Sequence, residues 1–368
     1  MKFTCIKSML QAAVNIASRA ASAKSPIPAL EGILLEAGPA GVKLTGYDLK
    51  KGIYTTVEAD VAEPGNIVLG AKIFGDIVRS LPDGIVTVKA DGLNVSITCE
   101  NADFKIIGTD HNDYPELPSI DQHSGISLPQ NILGEMIRQT IFAVSDNEAR
   151  PIYTGELFEI EDDTLTVVAV DGYRLALRRE KIDREADKYS FIVPGTALSD
   201  LEKLCGDTDE KVSIALGSKH ISFTIGKTVI ISRRLDGDFL NYKKTVPSTF
   251  KVEVKADRHL LQRTVERVSL IIDDKIKNPL RCTFGMNEVK IVCATALGKA
   301  EDICVVEGDG KGVEIGFNNR YILDALKAAP AEEVNVCLNT GSSPCVISPA
   351  DGSDKFLYMV LPVRLKAE

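Results

Sequence analysis

Two hydrophobic periods alternate along this chain. Helix-like spacing appears in "MLQAAVNIASRAASAKSPIPALEGILLE" (9–36), "ILGEMIRQTIFAVSDNEARPIYTGELFE" (132–159) and "LLQRTVERVSLIIDDKIKNPLRCTFG" (260–285). Each begins with apolar residues at three- and four-residue intervals, passes into a polar connector and reaches a proline. Strand-like runs such as "VKLTGYD", "TLTVVAV", "KVSIALG" and "HISFTIG" lie between them. The N-terminal "MKFTCIKSMLQAAVNIASRA" reads as an amphipathic helix of the mature protein, since polar residues interrupt it throughout.

The spacing shows that the chain repeats. Leu10 to Pro28, Leu133 to Pro151 and Leu261 to Pro279 each span 18 residues. Downstream, "LTGYDLKKGIYTTV" (44–57) matches "VAVDGYRLALRR" (168–179), with Asp48 and Asp171 each 38 residues after the helix leucine. "CATALGKAEDICVV" (293–306) is a third copy without the aspartate. A second helix follows in each unit, within 66–81, 191–205 and 313–329. The reading is helix, strands, helix, strands, three times over: an α+β fold of three tandem similar domains, helices covering one face of antiparallel sheet. Polar breaks at 119–125 and 245–250 place the domains at 1–120, 125–246 and 248–368. A chain of like domains can close into a ring by dimerising, which also removes sticky strand edges.

Charge changes the picture modestly. The chain carries a formal net charge of -9, which by itself argues against a polyanionic partner. Yet the first 30 residues hold Lys2, Lys7, Arg19 and Lys24 and no acid. The six helix segments sum to +4, leaving -13 elsewhere. Gln11, Asn15 and Ser18 join Lys7 and Arg19 on the first helix as groups able to touch phosphates without reading bases.

Chemistry is harder to find. The eight cysteines and four histidines are dispersed with no CxxC, so buried thiols on strands are expected, with no metal and no cofactor. Gly226-Lys227-Thr228 resembles the end of a phosphate loop, but Ile221 stands where its glycine belongs. "GDGKGVEIG" (308–316) reads as a turn, and GxSxG and HExxH are absent. Four carboxylates crowd "EIEDDT" (159–164), leaving open an enzyme that uses them. Asp171-Gly172 between apolar alternating runs predicts a hairpin with both residues at the centre of a type I′ turn. Beyond it Tyr173, Leu175 and Leu177 face one way, and Arg174, Ala176 and Arg178 the other.

The segments "MKFTC", "IPALEGILLE", "LTGYDLKKGI", "VDGYRLALRR", "SRRLDGDFLNYKKTVP", "FNNRYILDAL" and "YMVLPVRL" span all three repeats. On them the chain resembles the bacterial DNA polymerase III beta subunit family, the beta sliding clamps. The resemblance implies a DNA clamp fold: a closed, head-to-tail dimeric ring with helices lining the inside and antiparallel sheets outside. It implies a non-catalytic processivity factor encircling duplex DNA without sequence specificity; no apolar run approaches the length of a membrane span, so a cytoplasmic protein with no membrane partner is expected. Replicative polymerase, clamp loader and repair proteins would bind through short linear peptides in a groove between the second and third domains. The matching groove positions are Arg150, Tyr153, Val170, Gly172, Tyr173, Arg174, Leu175, Leu240, Lys244, Thr245, Asn318, Tyr321, Val360, Leu361, Pro362, Val363 and Arg364. Lys24, Lys72, Arg79 and Asn147 match DNA contacts, and helix placement adds Lys7, Arg19 and Arg138. Phe104, Leu270 and Ile271 are the expected subunit contact. The chain departs from the family's habit at Tyr173 (often His), Leu240 (often Pro) and Ile152 (sometimes aromatic), which bears on peptide preference. Gly195-Thr196 stands where some members are basic, weakening that part of a DNA-facing surface. A peptide-binding scaffold that never encircles DNA is the alternative.

Overall fold

The computed structural model describes residues 1–120, 125–273 and 278–365. Of the expected boundary at 119–125, residues 121–124 lie outside the described residues, as do 366–368 of the third domain. The first repeat opens with a strand, not the helix expected from residue 1: β1 (Lys2–Ile6) precedes α1 (Lys7–Ser18). Phe3 and Cys5 alternate inward with period two, and β1 is hydrogen-bonded on both sides. There follow β2 (Gly32–Gly38), β3 (Gly41–Tyr47), β4 (Lys51–Val57), β5 (Asp60–Glu63), β6 (Gly65–Gly70), α2 (Ala71–Ser80), β7 (Ile85–Asp91), β8 (Asn94–Cys99) and β9 (Ala102–Ile107).

The second repeat comprises β10 (Gly125–Pro129), α3 (Gln130–Arg138), β11 (Gly155–Val170), β12 (Arg174–Pro194), α4 (Gly195–Leu204), β13 (Lys211–Leu216), β14 (His220–Ile225) and β15 (Thr228–Arg233). A one-turn helix α5 (Tyr242–Thr245) leads into the third. That repeat has β16 (Val252–Asp257), α6 (Arg258–Ser269), β17 (Leu280–Thr295), β18 (Gly298–Phe317), α7 (Asn319–Ala328), β19 (Glu333–Leu338), β20 (Cys345–Pro349) and β21 (Phe356–Val360). Each repeat therefore runs strand, helix, strands, helix, strands.

Every named strand pair is antiparallel, in three sheets ordered β5-β1-β7-β8-β9, β10-β13-β14-β15-β4-β3-β2-β6 and β11-β12-β21-β20-β19-β16-β18-β17. Two sheets run through the expected domain boundaries. β15, the last strand of the second repeat, pairs with β4 of the first, from Thr228↔Thr55 to Ser232↔Lys51. β21, the last of the third, pairs with β12 of the second, from Arg174↔Val360 to Arg178↔Phe356. The chain consequently groups into two compact units, 1–134 with 200–234 and 135–199 with 235–368. The middle repeat is shared between them because its outer strands each extend a neighbour's sheet.

In unit 1, α1 buries Leu10, Ala13, Val14 and Ala17, a stripe at helical spacing, against Ile33, Leu35, Leu44, Phe74 and Val88. In unit 2, α6 repeats the stripe with Leu261, Thr264, Val265 and Val268 over Phe284, Ile291, Ile315 and Leu326. The Asp257 carboxylate caps α6 by accepting from Leu260 N–H at 2.7 Å. Seven of the eight cysteines are buried on strands; Cys205 is half-buried after α4.

One core position breaks the apolar pattern. Glu156 on β11 is fully buried, where the corresponding ladder positions hold Ile33 (opposite Leu69) and Leu280 (opposite Phe317). Burial pushes its carboxyl up to about 8, against a smaller downward pull from Thr140. The Thr140 hydroxyl lies 2.9 Å from Glu156 Oε1 and 2.8 Å from the Met136 carbonyl. Its single proton can serve either Glu156 Oε1 or the Met136 carbonyl, not both fully at once. Glu156 Oε2 has no hydrogen-bond partner among the described residues.

Candidate functional site

The site of unit 2 starts at the turn between β11 and β12. The Asp171 carboxylate accepts from the backbone N–H of Tyr173 at 2.8 Å and of Arg174 at 3.0 Å. The central pair is Gly172 and Tyr173, not Asp171 and Gly172, and only Gly172 takes a positive φ, +94°. The expected type I′ turn is thereby corrected: Asp171 serves as a side-chain cap one position earlier. The shift lifts Tyr173 out of the strand alternation, leaving it 62% exposed.

Arg174 organises what surrounds it. Its guanidinium pairs with Asp171 at 2.9 Å and also with Asp324 on α7. It lies 5.3 Å from the Phe142 ring centroid and 4.5 Å from that of Tyr321, and Tyr321 stacks on Tyr173 at 6.2 Å. Phe142, Arg174, Tyr321 and Tyr173 form a ladder of planar groups whose outer end is the exposed tyrosine. Burial, reinforced by Asp171, raises the Tyr321 phenol above its ordinary range. Asn318 fixes the start of α7 by accepting from Arg320 N–H at 3.0 Å. A cleft of about 440 Å³ lies over these groups, lined also by Ser145, Asp146, Asn147 and Ile272.

Beside this polar cleft the wall is apolar. Ile152, Tyr153, Phe239, Leu240 and Leu361 are half-buried around Leu157, Val170, Leu175, Leu177 and Met359. Tyr153 meets Phe239 edge-on at 5.6 Å. The C-terminal segment is stitched down by Leu361 N–H to the Tyr173 carbonyl and Val363 N–H to the Gly316 carbonyl, both 2.8 Å. Among the groove candidates, Val170, Leu175 and Val360 are buried beneath this surface, whereas Arg150, Gly172, Lys244, Thr245, Val363 and Arg364 are exposed and Pro362 is half-buried.

The segment bearing Leu240 is anchored from below. Tyr242 is buried and donates to Glu159 at 2.6 Å, and Lys243 bridges Glu159 at 2.8 Å and Glu161 at 2.9 Å. Hydrogen bonds from Lys188 and Lys243 hold the Glu161 carboxyl down at about 2. Burial pushes Glu159 up, but Lys243 and Tyr242 outweigh it. Asp163 pairs with Lys181 at 2.6 Å. These carboxylates of the "EIEDDT" run are thus engaged by lysines, and no group of His, Cys, Asp and Glu suited to a metal occurs among the described residues.

The remaining candidates are scattered. Lys24, Lys72, Arg138 and Asn147 are exposed. Lys7 pairs with Asp83 at 3.5 Å, Arg79 with Asp76 at 3.0 Å and Arg19 with Asp200 at 3.5 Å, so these basic candidates have acidic neighbours. Phe104 sits on β9 against the unit 1 core, Ile271 against the unit 2 core, and Leu270 stands 84% exposed at the end of α6. The sequence reading missed Phe142, Asp324 and Tyr242. Asp324 carried a usable signal, lying one helical turn after Tyr321; Phe142 reached Arg174 only through tertiary packing.

Family models of the DNA polymerase III beta subunit match the N-terminal domain over residues 1–118, the central domain over 127–241 and the C-terminal domain over 243–364. The chain belongs to the DNA polymerase III beta subunit family. It is 32% identical to the beta sliding clamp of Halalkalibacterium halodurans over 380 residues, covering 99% of this chain and 100% of the relative. It is also 32% identical to that of Bacillus subtilis over 378 residues, covering 99% and 100%. The solved Bacillus subtilis DNA polymerase sliding clamp superposes with a TM-score of 0.95 at 31% identity, covering all of both chains. A Pseudomonas aeruginosa sliding clamp bound to griselimycin gives 0.94 at 29% identity, over 99% of this chain and 100% of the other. The three tandem domains and antiparallel sheets expected from the repeats are those of this family.

Proposed function

We propose that this chain is a DNA polymerase processivity factor: a cytoplasmic, non-catalytic homodimeric ring that encircles duplex DNA and slides on it without sequence preference. Replicative polymerase, clamp loader and repair proteins dock short linear peptides in the cleft and apolar wall of unit 2. The domains run 1–120, 125–246 and 248–368, joined by strand pairing across each boundary.

The observation that carries the reading is the repeated junction. In the two internal cases, the last strand of one repeat pairs with the strand after the turn of the repeat before it, β15 with β4 and β21 with β12. Among the described residues the remaining members of the series lack that partner. β9, the last strand of the first repeat, is an edge, and residues 298–306 of β18 pair with β17 on one side only. A second copy placed head to tail satisfies both edges, twice, and closes the ring. Closure also reconciles a net charge of -9 with DNA: a topologically linked ring needs only weak phosphate contacts, such as Lys24, Lys72, Arg138 and Asn147 offer. No helix among the described residues is long and apolar enough to cross a membrane.

The cleft suits a peptide because apolar anchors can enter the Leu240–Leu361 wall while Tyr173, Arg174 and Asn318 engage polar groups beside it. The test is retention. Loaded protein should sediment as a dimer, stay on circular DNA and run off the same DNA once linearised. Equal retention on both forms would remove encirclement and leave a peptide-binding scaffold.

A further inference from the structure

The sheet of unit 1 has, at the place of the groove in unit 2, the opposite chemistry. Ser232↔Lys51 and Val360↔Arg174 are matching cross-strand pairs. The residues beyond them make matching backbone bonds: Arg233 N–H donates to the Lys50 carbonyl at 3.0 Å, and Leu361 N–H to the Tyr173 carbonyl at 2.8 Å. Lys50 therefore stands where unit 2 has Tyr173, and Arg233 where it has Leu361. On the neighbouring strand, Ile221 pairs with Ser232 as Cys345 pairs with Val360, so His220 takes the place of Pro344 and Lys219 that of Ser343. The apolar floor is closed as well. Gly52 sits at the position of Leu175, and Leu117 packs over it so tightly that no Cβ would fit.

What unit 1 presents there is positive charge. Lys50, Lys219 and Arg233 are exposed, and His220 and Arg234 are half-buried. The strands hold the group together: His220 lies opposite Arg233, and Arg234 N–H donates to the Lys219 carbonyl at 2.9 Å while its guanidinium donates to the Gly217 carbonyl at 3.0 Å. Lys50, Lys219 and Arg233 have no ion pair among the described residues. The acids of the adjoining seam are engaged elsewhere. Asp48 accepts the backbone N–H of Lys50 at 2.9 Å and of Lys51 at 2.7 Å, and Asp200 pairs with Lys51 and Arg19. Burial, with Arg233 and then Lys219 adding to it, holds the His220 imidazole below its ordinary value.

Resting on the peptide-docking reading above, we propose that Lys50, Lys219 and Arg233 form a second docking surface, which takes an acidic segment of a protein partner. Where unit 2 buries apolar anchors, this surface recognises carboxylates by charge alone, so its grip is weaker and falls with salt. The cations lie on strands and their turns, whereas the ring reading sets the helices against DNA. That placement favours a protein segment over nucleic acid.

The test is fluorescence anisotropy of the whole chain with a labelled peptide of alternating Glu and Ser, at near-physiological salt. Arg233→Glu should raise the dissociation constant about tenfold, and Lys219→Glu by a similar factor. Lys227→Glu makes the same charge change at the opposite end of the same hairpin, beyond a Debye length, and should change it less than about twofold. No binding by the wild type, or equal effects of Arg233→Glu and Lys227→Glu, would overturn the surface. Tighter binding of a short DNA duplex, lost in Arg233→Glu, would overturn the protein partner and give the surface to nucleic acid. A polymerase-derived peptide should bind Arg233→Glu as it binds the wild type; if it bound neither, the groove reading would fail while the acidic-peptide result still stood. Lys219, Lys227 and Arg233 are exposed, so an unchanged Tm in each variant separates loss of contact from loss of fold.

Discussion

The two junctions inside the chain share one frame and differ in what fills it. Each has a capped turn, a basic residue three positions later, and an aspartate reached on the following repeat's second helix. At the first, Lys51, Arg19 and Asp200 satisfy one another, and Lys51 is buried. At the second, the guanidinium lies between aromatic rings, and the stack continues out to an exposed tyrosine under an open cleft. A planar guanidinium can lie between two rings while pairing with two carboxylates, whereas an ammonium has no flat face to stack. One geometry yields a closed seam in unit 1 and an open cleft in unit 2.

The largest expected effect separates these roles. Arg174→Ala should cost about 3 kcal/mol of stability by leaving Asp171 and Asp324 uncompensated, and should abolish measurable binding of a polymerase-derived peptide. Lys51→Ala should destabilise comparably and leave peptide affinity unchanged. Denaturant titration and calorimetry on both variants check the contrast, and equal loss of peptide binding would erase it.

Glu156 sharpens the comparison next, because the first repeat carries Ile33 where the second carries a buried acid. Its folded carboxyl lies above its unfolded value, so the stability linked to the protonated form is complete below about pH 4.5 and lost as pH rises toward about 8. Glu156→Leu should therefore stabilise by on the order of 2 kcal/mol at pH 8 and much less at pH 5. Urea unfolding at the two pH values measures it; a pH-independent gain would mean that ionisation is not the cause.

Smaller effects concern the turns. Tyr173→Ala removes the exposed end of the ladder and should weaken peptide binding by about tenfold, or ~1.4 kcal/mol, without shifting Tm. Lys50→Ala, at the same place in the first turn, should change neither. Finally, Gly172 and Leu49 occupy matching positions at φ +94° and +72°. Gly172→Ala should cost about 1 kcal/mol, and Leu49→Gly should relieve strain by a similar or smaller amount. Opposite signs in the two melting temperatures are the check.

Much of the fold was legible because the repeat is written in periodicities. The α1 and α6 stripes appear as apolar spacings, and Asp48 and Asp171 announce the turns at matching distances. β1 was missed because five alternating residues merge into the helix that follows without a break. The turn type was misassigned because Asp-Gly does not reveal whether the aspartate occupies the turn or caps it. The seven motif segments supplied the groove candidates, but not the split between Val170, Leu175 and Val360 underneath and Tyr173 and Lys244 on the surface.

What the sequence determined by itself was local and periodic: three repeats, the order of their elements apart from the opening strand, their turn residues and their family. Those depend on spacing along one segment, which the chain states directly. Tertiary structure alone decided that the middle repeat divides between two units, that Arg174 lies between Phe142 and Tyr321, and that Glu156 is buried without a charged partner among the described residues. Each of these depends on which distant strands share hydrogen bonds. A strand advertises its period but not its neighbour, so β15 finding β4 and β21 finding β12 became visible only once the sheets were assembled.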